Sequence, residues 1–355
     1  LLWSEEEWAK LQTMGDNATF VLNGKQQSGG VTDKNITIVV KVTKPATGNS
    51  HWLRHFRESI LLQQLQQWEN EMLSEFGPLF YSHGLPRVFR FVPEWGRCLY
   101  PLWISVSPFY SMNLQQFIDQ RLNLRTTYKQ LVRMSLDIVS GVQLLHNVRV
   151  FNEQKKKKKK GGPYHHTDIG PRQFMIDPEM NVLINDFNRG KIQKYHFVSD
   201  NSSFLSSFQL AIPCSYCPVN PNPKSYWRSP EEWDNRPLTQ SIDVYSTATV
   251  LCSLFRVHKP QIYPNTTTLS WNTSMKKMVG QCATVHPFFK LLLISMLKYD
   301  SLQRPTINQV MRKLQYFYYH LDKFTNSTSS WTLQEIEDLK LWKPRHSHKY
   351  FSYTH

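Results

Sequence analysis

The first part of the chain contains short hydrophobic stretches rich in β-branched and aromatic residues, a composition typical of β-strands. Glycine and proline, which favour turns, separate them. Between residues 52 and 73 the spacing changes, and Phe56, Ile60, Leu61 and Leu65 lie on one face of a predicted amphipathic helix. We therefore predict a strand-rich first part with one long helix, with strands over 19–22, 36–44, 88–92 and 99–106.

Helical spacing dominates from residue 108 onward. Leu131, Met134, Ile138, Val142 and Leu145 follow one another at intervals of three and four positions, which places them on one buried helix face. The same spacing returns later in the chain. We predict helices over 114–120 and 128–145, several between 229 and 324, and one over 333–341.

One predicted hairpin interrupts these helices. The apolar runs 174–176 and 182–184 flank Asp177-Pro178-Glu179-Met180-Asn181, whose residue types favour a turn. The segment 191–226 is rich in Ser, Asn and Pro, so we predict a long irregular loop there. The hexalysine run Lys155–Lys160, followed by two glycines, predicts a solvated loop.

Composition predicts a folded protein with a basic surface. Of the 355 residues, 40% are hydrophobic and 13% aromatic, which excludes a globally disordered or fibrous chain. The formal net charge of +15 favours contact with nucleotides, acidic or phosphorylated substrates, nucleic acid or anionic membranes. No apolar run is long enough for a transmembrane helix. Because the chain begins at Leu1 rather than Met, we expect that a segment such as a signal peptide or membrane anchor preceded it.

Sequons and cysteines bear on the compartment. The Asn-x-Ser/Thr sequons are somewhat more frequent than composition alone gives, which favours a glycosylated protein of the secretory lumen or the extracellular space. A cytoplasmic protein with chance sequons is the alternative. Five cysteines are too few for a disulfide scaffold, and Cys214 and Cys217 are either bridged or two ordinary loop cysteines. The six candidate glycosylation sites are Asn17, Asn35, Asn201, Asn265, Asn272 and Asn326.

Chemistry-bearing motifs surround the predicted hairpin. His166-Thr167-Asp168 precedes it and Asn185-Asp186-Phe187 follows it, with the two aspartates 18 positions apart. Other motifs occur in a fixed order along the chain: Val39-Val40-Lys41, Glu58, Leu144-Leu145-His146, Arg228-Ser229-Pro230-Glu231, Ile242-Asp243-Val244, and Asp300 with Arg304-Pro305. These motifs and their order resemble those of the protein kinases, and the chain resembles a divergent member of that superfamily. The nearest analogy is with the lumenal protein O-mannose kinases.

The resemblance covers residues 11–320 and implies a bilobed α+β protein-kinase fold. It implies a small β-rich N-lobe with one long helix and a larger helical C-lobe. The expected divisions are a helical lead-in over 1–10, an N-lobe over 11–106, a C-lobe over 107–322 with a lysine-rich insertion at 148–163 and an activation segment at 186–231, and a basic aromatic tail over 323–355.

The resemblance also implies roles for individual residues. Lys41 would hold the phosphates of ATP, Glu58 would hold Lys41, and Gly15 would belong to the phosphate-binding loop. Asp168 would accept the proton of the substrate hydroxyl. Asp186 and Gln173 would bind Mg²⁺ or Mn²⁺, because carboxylate and amide oxygens are suitable ligands.

Several positions depart from the kinase pattern. Gly15 stands where kinases usually carry three glycines, and Asn17 beside it is a sequon. Thr167 replaces the arginine that pairs with a phosphorylated activation segment, so an active protein would not need that phosphorylation. Gly170 replaces the lysine that contacts the transferred phosphate, and Arg172 is the candidate substitute.

Two functions follow from these matches and departures. The first is an atypical kinase-like phosphotransferase that moves the γ-phosphate of ATP to a protein or glycan hydroxyl. The second is a catalytically inactive pseudokinase, without nucleotide or metal, that acts as a binding or scaffold subunit. Lys155–Lys160 either recruits an acidic or anionic partner or is simply solvated. The basic tail either docks on such a partner or packs back on the C-lobe. Nucleic acid is not an expected partner, and membrane contact would come only from a segment before Leu1.

Overall fold

Two long strands carry the Lys41 motif. β1 (Asn17–Ser28) and β2 (Val31–Thr43) form an antiparallel hairpin whose pairing runs from Asn17–Thr43 to Ser28–Val31. The β-branched run in β2 favours extended backbone. The computed structural model describes residues 17–28, 31–43, 58, 61–62, 65, 95–99, 102–120, 126–147, 164–187, 189–192, 195–198, 210–213, 227–234, 236, 238–255, 271, 273, 279 and 285–321.

The hairpin belongs to a four-stranded antiparallel sheet. β3 (Trp95–Leu99) and β4 (Leu102–Pro108) complete it, in the order β1-β2-β4-β3. The prediction of one strand over 99–106 is wrong, because the chain reverses between Leu99 and Leu102, which pair with each other. The predicted strand 88–92 lies outside the described residues.

A predicted helix and the predicted hairpin follow the sheet. β5 (Met112–Asn113) leads into α1 (Leu114–Gln120), whose bounds agree with the prediction, and α2 (Tyr128–Asn147) runs two residues beyond its predicted end. β7 (Phe174–Ile176) and β8 (Val182–Ile184) form the hairpin, and β5 pairs with β7. Of the predicted helix 52–73, the structure describes Glu58, Leu61, Leu62 and Leu65, which are helical and buried.

Short paired strands lie before and after the hairpin in the chain. β6 (Tyr164–His165) pairs with β9 (Lys191–Ile192), and β10 (Tyr195–Val198) pairs with β11 (Leu210–Pro213). The predicted irregular loop over 191–226 is therefore wrong at these strands. Each strand pairs with another across an intervening segment, so a local abundance of Ser, Asn and Pro does not reveal the pairing.

Helices make up most of the remaining described chain. They are α3 (Pro230–Trp233), α4 (Ser241–Leu254), α5 (Pro287–Met296) and α6 (Ile307–Tyr319). The predicted mixture of helix and sheet is confirmed, while the division into two lobes stays a prediction. Among the described helices, none is both long and apolar enough to cross a membrane.

α4 lies at the centre of this helical part. Every residue from Ile242 to Leu254 is buried, as expected of a helix covered on all sides. The hydroxyl groups of its two threonines are satisfied by its own backbone, since Thr247 Oγ1 donates to the Asp243 carbonyl at 2.7 Å and Thr249 Oγ1 to the Ser246 carbonyl at 2.7 Å. This buried helix fixes Asp243, from which the site is built.

Candidate active site

The buried carboxylate of Asp243 holds the segment that carries Asp168. The backbone N–H of His166 donates to its Oδ2 at 2.8 Å, and the backbone N–H of Thr167 donates to its Oδ1 at 3.0 Å. His146 Nε2, at the end of α2, lies 3.0 Å from Oδ2. Because an ionised carboxylate only accepts hydrogen bonds, His146 is the donor. The first turn of α4 thus fixes the backbone just before Asp168.

The surroundings of Asp243 stabilise its charged form. Burial raises the pKa of a carboxyl group, but the hydrogen bond from His146 and the charges of His146, His165 and His166 outweigh burial, so the pKa of Asp243 lies below its ordinary value. Asp243 is therefore an anion at neutral pH, as its role as a triple acceptor requires.

Thr167 is held in a strained conformation immediately before Asp168. Its φ of 61° lies in the left-handed region, which is costly for a β-branched residue. Its N–H is bound by Asp243, its carbonyl accepts from Arg228 Nη1 at 3.1 Å, and its Oγ1 donates to the Arg189 carbonyl at 2.9 Å. Strain that its neighbours enforce in this way is typical of functional sites.

Three side chains converge on the Asp168 carboxylate, which is 24% exposed. Arg228 Nη2 donates to Oδ1 at 3.2 Å, Arg189 Nη1 to the same oxygen at 3.4 Å, and Gln173 Nε2 to Oδ2 at 3.2 Å. The sequence predicts Asp168 and Gln173 at this site but not the two arginines. Arg172, the predicted substitute for the missing lysine, has an exposed side chain on the short turn Pro171–Gln173.

The second aspartate lies on a segment that is bound to the first. His166 Nε2 lies 3.1 Å from the Asn185 carbonyl, and the Asn185 N–H donates to the Gln173 carbonyl at 2.7 Å. Asp186 follows with a φ of 61°, a left-handed conformation that aspartate tolerates better than most residues. The two predicted aspartates therefore occupy adjoining segments that are linked through backbone hydrogen bonds.

Phe187 fixes the Asp186 turn from two sides. Its N–H donates to Glu58 Oε1 at 2.8 Å, and its carbonyl accepts from the Tyr164 hydroxyl at 2.8 Å. Gly190 lies under Tyr164 so closely that any side chain at position 190 would overlap the hydroxyl and ring. Glu58, which was predicted to lie on the long helix, is buried, and its hydrogen bond from Phe187 brings it into direct contact with this turn.

The donor set is compatible with a magnesium ion shared with a nucleotide. Gln173 uses its Nε2 on Asp168, which leaves its Oε1 as an acceptor, and the Asp186 carboxylate accepts no hydrogen bond from any described residue. Mg²⁺ is typically held by one or two protein oxygens together with phosphates and waters. Within the described part of the chain, no group of three or more His, Cys, Asp or Glu could hold a metal alone.

Of the remaining predicted site residues, the structure describes some and others lie outside the described ranges. Lys41 is half-buried in β2, where it pairs with Thr19 of β1 and Ser105 of β4. Asn17 and Asn35 belong to β1 and β2. Other predictions concern residues outside the described ranges: Gly15, Asn201, Asn265, Asn272, Asn326, Cys214, Cys217, Lys155–Lys160 and the tail 323–355.

The Arg228-Ser229-Pro230-Glu231 motif opens α3 beside the site. Glu231 forms a buried bidentate ion pair with Arg304, at 2.5 and 2.7 Å. Arg228 Nη1 donates to Glu232 at 2.7 Å, and the other oxygen of Glu232 accepts from the Ser229 N–H at 2.8 Å. Burial raises the pKa of Glu232, and the Arg228 charge and the Ser229 hydrogen bonds offset part of this effect.

Comparison with known proteins points in the same direction as these motifs. No family model matches the chain. It is 24% identical over 270 residues to human dual specificity testis-specific protein kinase 2, covering 72% of this chain and 41% of that protein. The rat protein of the same name is 24% identical over 266 residues, covering 71% and 40%. The chain thus matches about two fifths of the length of these curated relatives, and in sequence it is similar to protein kinases.

Proposed function

We propose that the chain is a protein-kinase-like phosphotransferase that moves the γ-phosphate of ATP to a hydroxyl of a protein, or of a glycan. The supporting observation is the link between the two aspartates. Asp168 is held through Asp243, the Asp186 turn is held through Glu58, and His166 joins the two segments by its contact with the Asn185 carbonyl. Phosphoryl transfer needs such positioning more than covalent chemistry.

The proposed step uses each residue in a defined way. The substrate oxygen forms a bond to the γ-phosphorus while the bond from that phosphorus to the bridging oxygen breaks, and ADP leaves with the electron pair. The hydroxyl proton passes to the Asp168 carboxylate. Lys41 would bind the ATP phosphates. Asp186 and Gln173 would hold Mg²⁺, which when bound neutralises phosphate charge.

A pseudokinase is the second candidate function. Two observations favour it: Gly170 supplies no lysine for the transferred phosphate, and the Asp168 carboxylate already accepts from three side chains. In that case the site would bind no nucleotide, and the chain would act as a scaffold subunit.

Nucleotide binding separates the two candidates. We would titrate the natively produced chain with ATP, with and without Mg²⁺ or Mn²⁺, and follow the melting temperature. A ligand at 100 times its Kd stabilises the folded state by about 2.7 kcal/mol. We expect a metal-dependent rise that Asp186→Ala abolishes and Asp119→Asn leaves intact, because Asp119 is an exposed residue of α1 whose carboxylate accepts a hydrogen bond from Gln115 on the same helix.

A phosphate-transfer assay is the second test of the proposal. Autophosphorylation and transfer to dephosphorylated casein should be lost in Asp168→Asn, while the ATP-dependent melting shift remains. Absence of any shift at millimolar ATP would contradict the proposal and favour the scaffold. Transfer that survives Asp168→Asn would remove Asp168 from its proposed role.

Compartment and partner are proposals that rest on sequence alone. We propose a lumenal or extracellular location on the sequons, which glycosidase treatment of the natively produced chain tests by a change in mass. Deletion of Lys155–Lys160 tests the proposed acidic partner, since loss of copurifying acidic protein in that variant would support recruitment by this run.

A further inference from the structure

Arg228 joins the end of the predicted activation segment (186–231) to residues 166–173, which we call the catalytic loop after the kinase loop that they resemble. Its side chain is 8% exposed, and its guanidinium donates to three acceptors: the Thr167 carbonyl at 3.1 Å, Asp168 Oδ1 at 3.2 Å and Glu232 Oε1 at 2.7 Å. Two of these acceptors belong to the loop, and the third belongs to α3. One buried cationic side chain thus links two segments that lie 60 positions apart in the chain.

The neighbouring residue, Trp227, makes the same connection by packing. A Cβ atom at Gly170 would meet the Trp227 indole at 3.5 Å, so the ring lies against the backbone of the loop. Trp227 is itself fixed by its carbonyl, which accepts from Ser246 Oγ of α4 at 2.7 Å. The indole therefore occupies the space next to the position where kinases carry a lysine.

We propose that Arg228 is a positioning residue of the catalytic loop, which supplies from the activation segment the positive charge that Gly170 and Thr167 do not supply. It orders Thr167 and aims Asp168 without phosphorylation of the chain. This inference rests on the proposed phosphotransfer function. It assigns no contact between Arg228 and substrate.

Burial makes Arg228 the stronger of the two arginine contacts. Arg189 also donates to Asp168, but its side chain is 43% exposed and its contact is longer, at 3.4 Å. An exposed ion pair is screened by water and contributes little, whereas a buried charged hydrogen bond is strong. Arg228 also holds the Thr167 carbonyl, so it acts on the strained residue and on the carboxylate together.

A purely structural role for Arg228 is the alternative, since it also pairs with buried Glu232. Three variants separate the roles: Arg228→Met removes the charge, Arg228→Lys keeps it, and Arg228→Met with Glu232→Gln removes the unpaired carboxylate that the first change leaves. Arg312→Met serves as the matched control, because Arg312 is exposed on α6.

Steady-state transfer to dephosphorylated casein gives the first readout. We expect Arg228→Met, alone and with Glu232→Gln, to lower kcat by roughly 100-fold, a size seen when one preorganised electrostatic contact is removed. KM for ATP should stay within about twofold, because the inference assigns Arg228 contacts to Thr167, Asp168 and Glu232 and none to the nucleotide. Arg228→Lys should recover part of kcat, and Arg312→Met should match the original chain.

Hydrogen exchange gives a readout that needs no activity. The Thr167 and Asp168 amides should exchange at least about tenfold faster in both methionine variants, with no change in α6. Retained kcat together with unchanged exchange in folded Arg228→Met would overturn the inference. If the original chain binds ATP but transfers no phosphate, the proposed function fails, and exchange alone then decides whether Arg228 positions the loop.

Discussion

Replacing Asp243 by asparagine should destabilise the chain more than most single substitutions do. The side chain keeps its size but loses its charge and one acceptor oxygen. In the structure the two oxygens accept from the N–H groups of His166 and Thr167 and from His146 Nε2. An asparagine amide has one oxygen, so it can accept from the donors at only one of the two carboxylate oxygen positions. At the other position its NH₂ group would face a donor and could not accept from it.

The best orientation of the amide sets the magnitude. If its oxygen takes the Oδ2 position, His166 and His146 keep an acceptor, and the buried N–H of Thr167 loses one. A hydrogen bond to a charged group contributes about 1.5–3 kcal/mol, and an unsatisfied buried donor costs about 1–3 kcal/mol. The remaining hydrogen bonds also lose their charged partner. We therefore expect the free energy of unfolding to fall by about 3–5 kcal/mol, as when a buried pair is broken.

Urea unfolding followed by tryptophan fluorescence measures this difference, with the midpoint and slope fitted for each variant. Asp119→Asn is the matched control, since the same atoms change on an exposed helix surface. It should alter the free energy of unfolding by no more than about 0.5 kcal/mol. A loss below about 1 kcal/mol for Asp243→Asn would refute the assignment of Asp243 as the acceptor that holds the catalytic loop.

Acid should reduce the difference between the two chains. The pKa of Asp243 is lower in the folded state than its ordinary value of 3.8, which applies to the unfolded chain. A depressed folded-state pKa contributes stability that is fully present above the unfolded value and is lost as pH falls through the folded value. The stability difference should therefore be complete at pH 5 and above, and should shrink below about pH 4. A difference that grows on acidification would contradict this sign.

Three further substitutions test other parts of the structure by urea midpoints. Gly190→Ala should cost about 1–3 kcal/mol by overlap with Tyr164; Tyr164→Val in the same chain should relieve this cost, whereas Tyr164→Phe, which keeps the ring, should not. Arg304→Met should cost about 3–5 kcal/mol because it leaves Glu231 buried without its partner, and a cost under 1 kcal/mol would contradict the buried pair. Thr306→Ala should cost about 1 kcal/mol by removing the cap of α6, with Thr306→Ser close to neutral as the control.

Local pattern predicted the elements whose signals lie within the element itself. The helix over 114–120 and the hairpin strands 174–176 and 182–184 agree with the structure, because helical spacing and an Asp-Pro turn between apolar runs are local features. The strands at 191–192 and 195–198 were not predicted, because each is stabilised by a partner elsewhere in the chain. Local composition carries no information about that pairing.

The site shows the same division between motif and tertiary contact. Asp168, Asp186 and Glu58 could be named from motifs, and the structure joins their segments through His166 and Phe187. The arginines at Asp168 could not be named, since which cation reaches a carboxylate depends on how distant segments fold together. One sequence signal was available: Arg228 directly precedes Ser229-Pro230-Glu231, in the segment that returns to the catalytic loop.

The absence of the two cationic motif residues therefore does not show that positive charge is absent around Asp168. Thr167 and Gly170 stand where the kinase pattern has two cations, yet two guanidinium groups, those of Arg189 and Arg228, lie within 3.4 Å of Asp168. A carboxylate responds to the charges around it, whatever position in the sequence supplies them. If Arg228 positions the loop as proposed, a divergent catalytic loop can keep a kinase-like charge balance by taking its cations from the activation segment. Inactivity would then have to be argued from nucleotide binding, because the altered catalytic loop alone does not imply it.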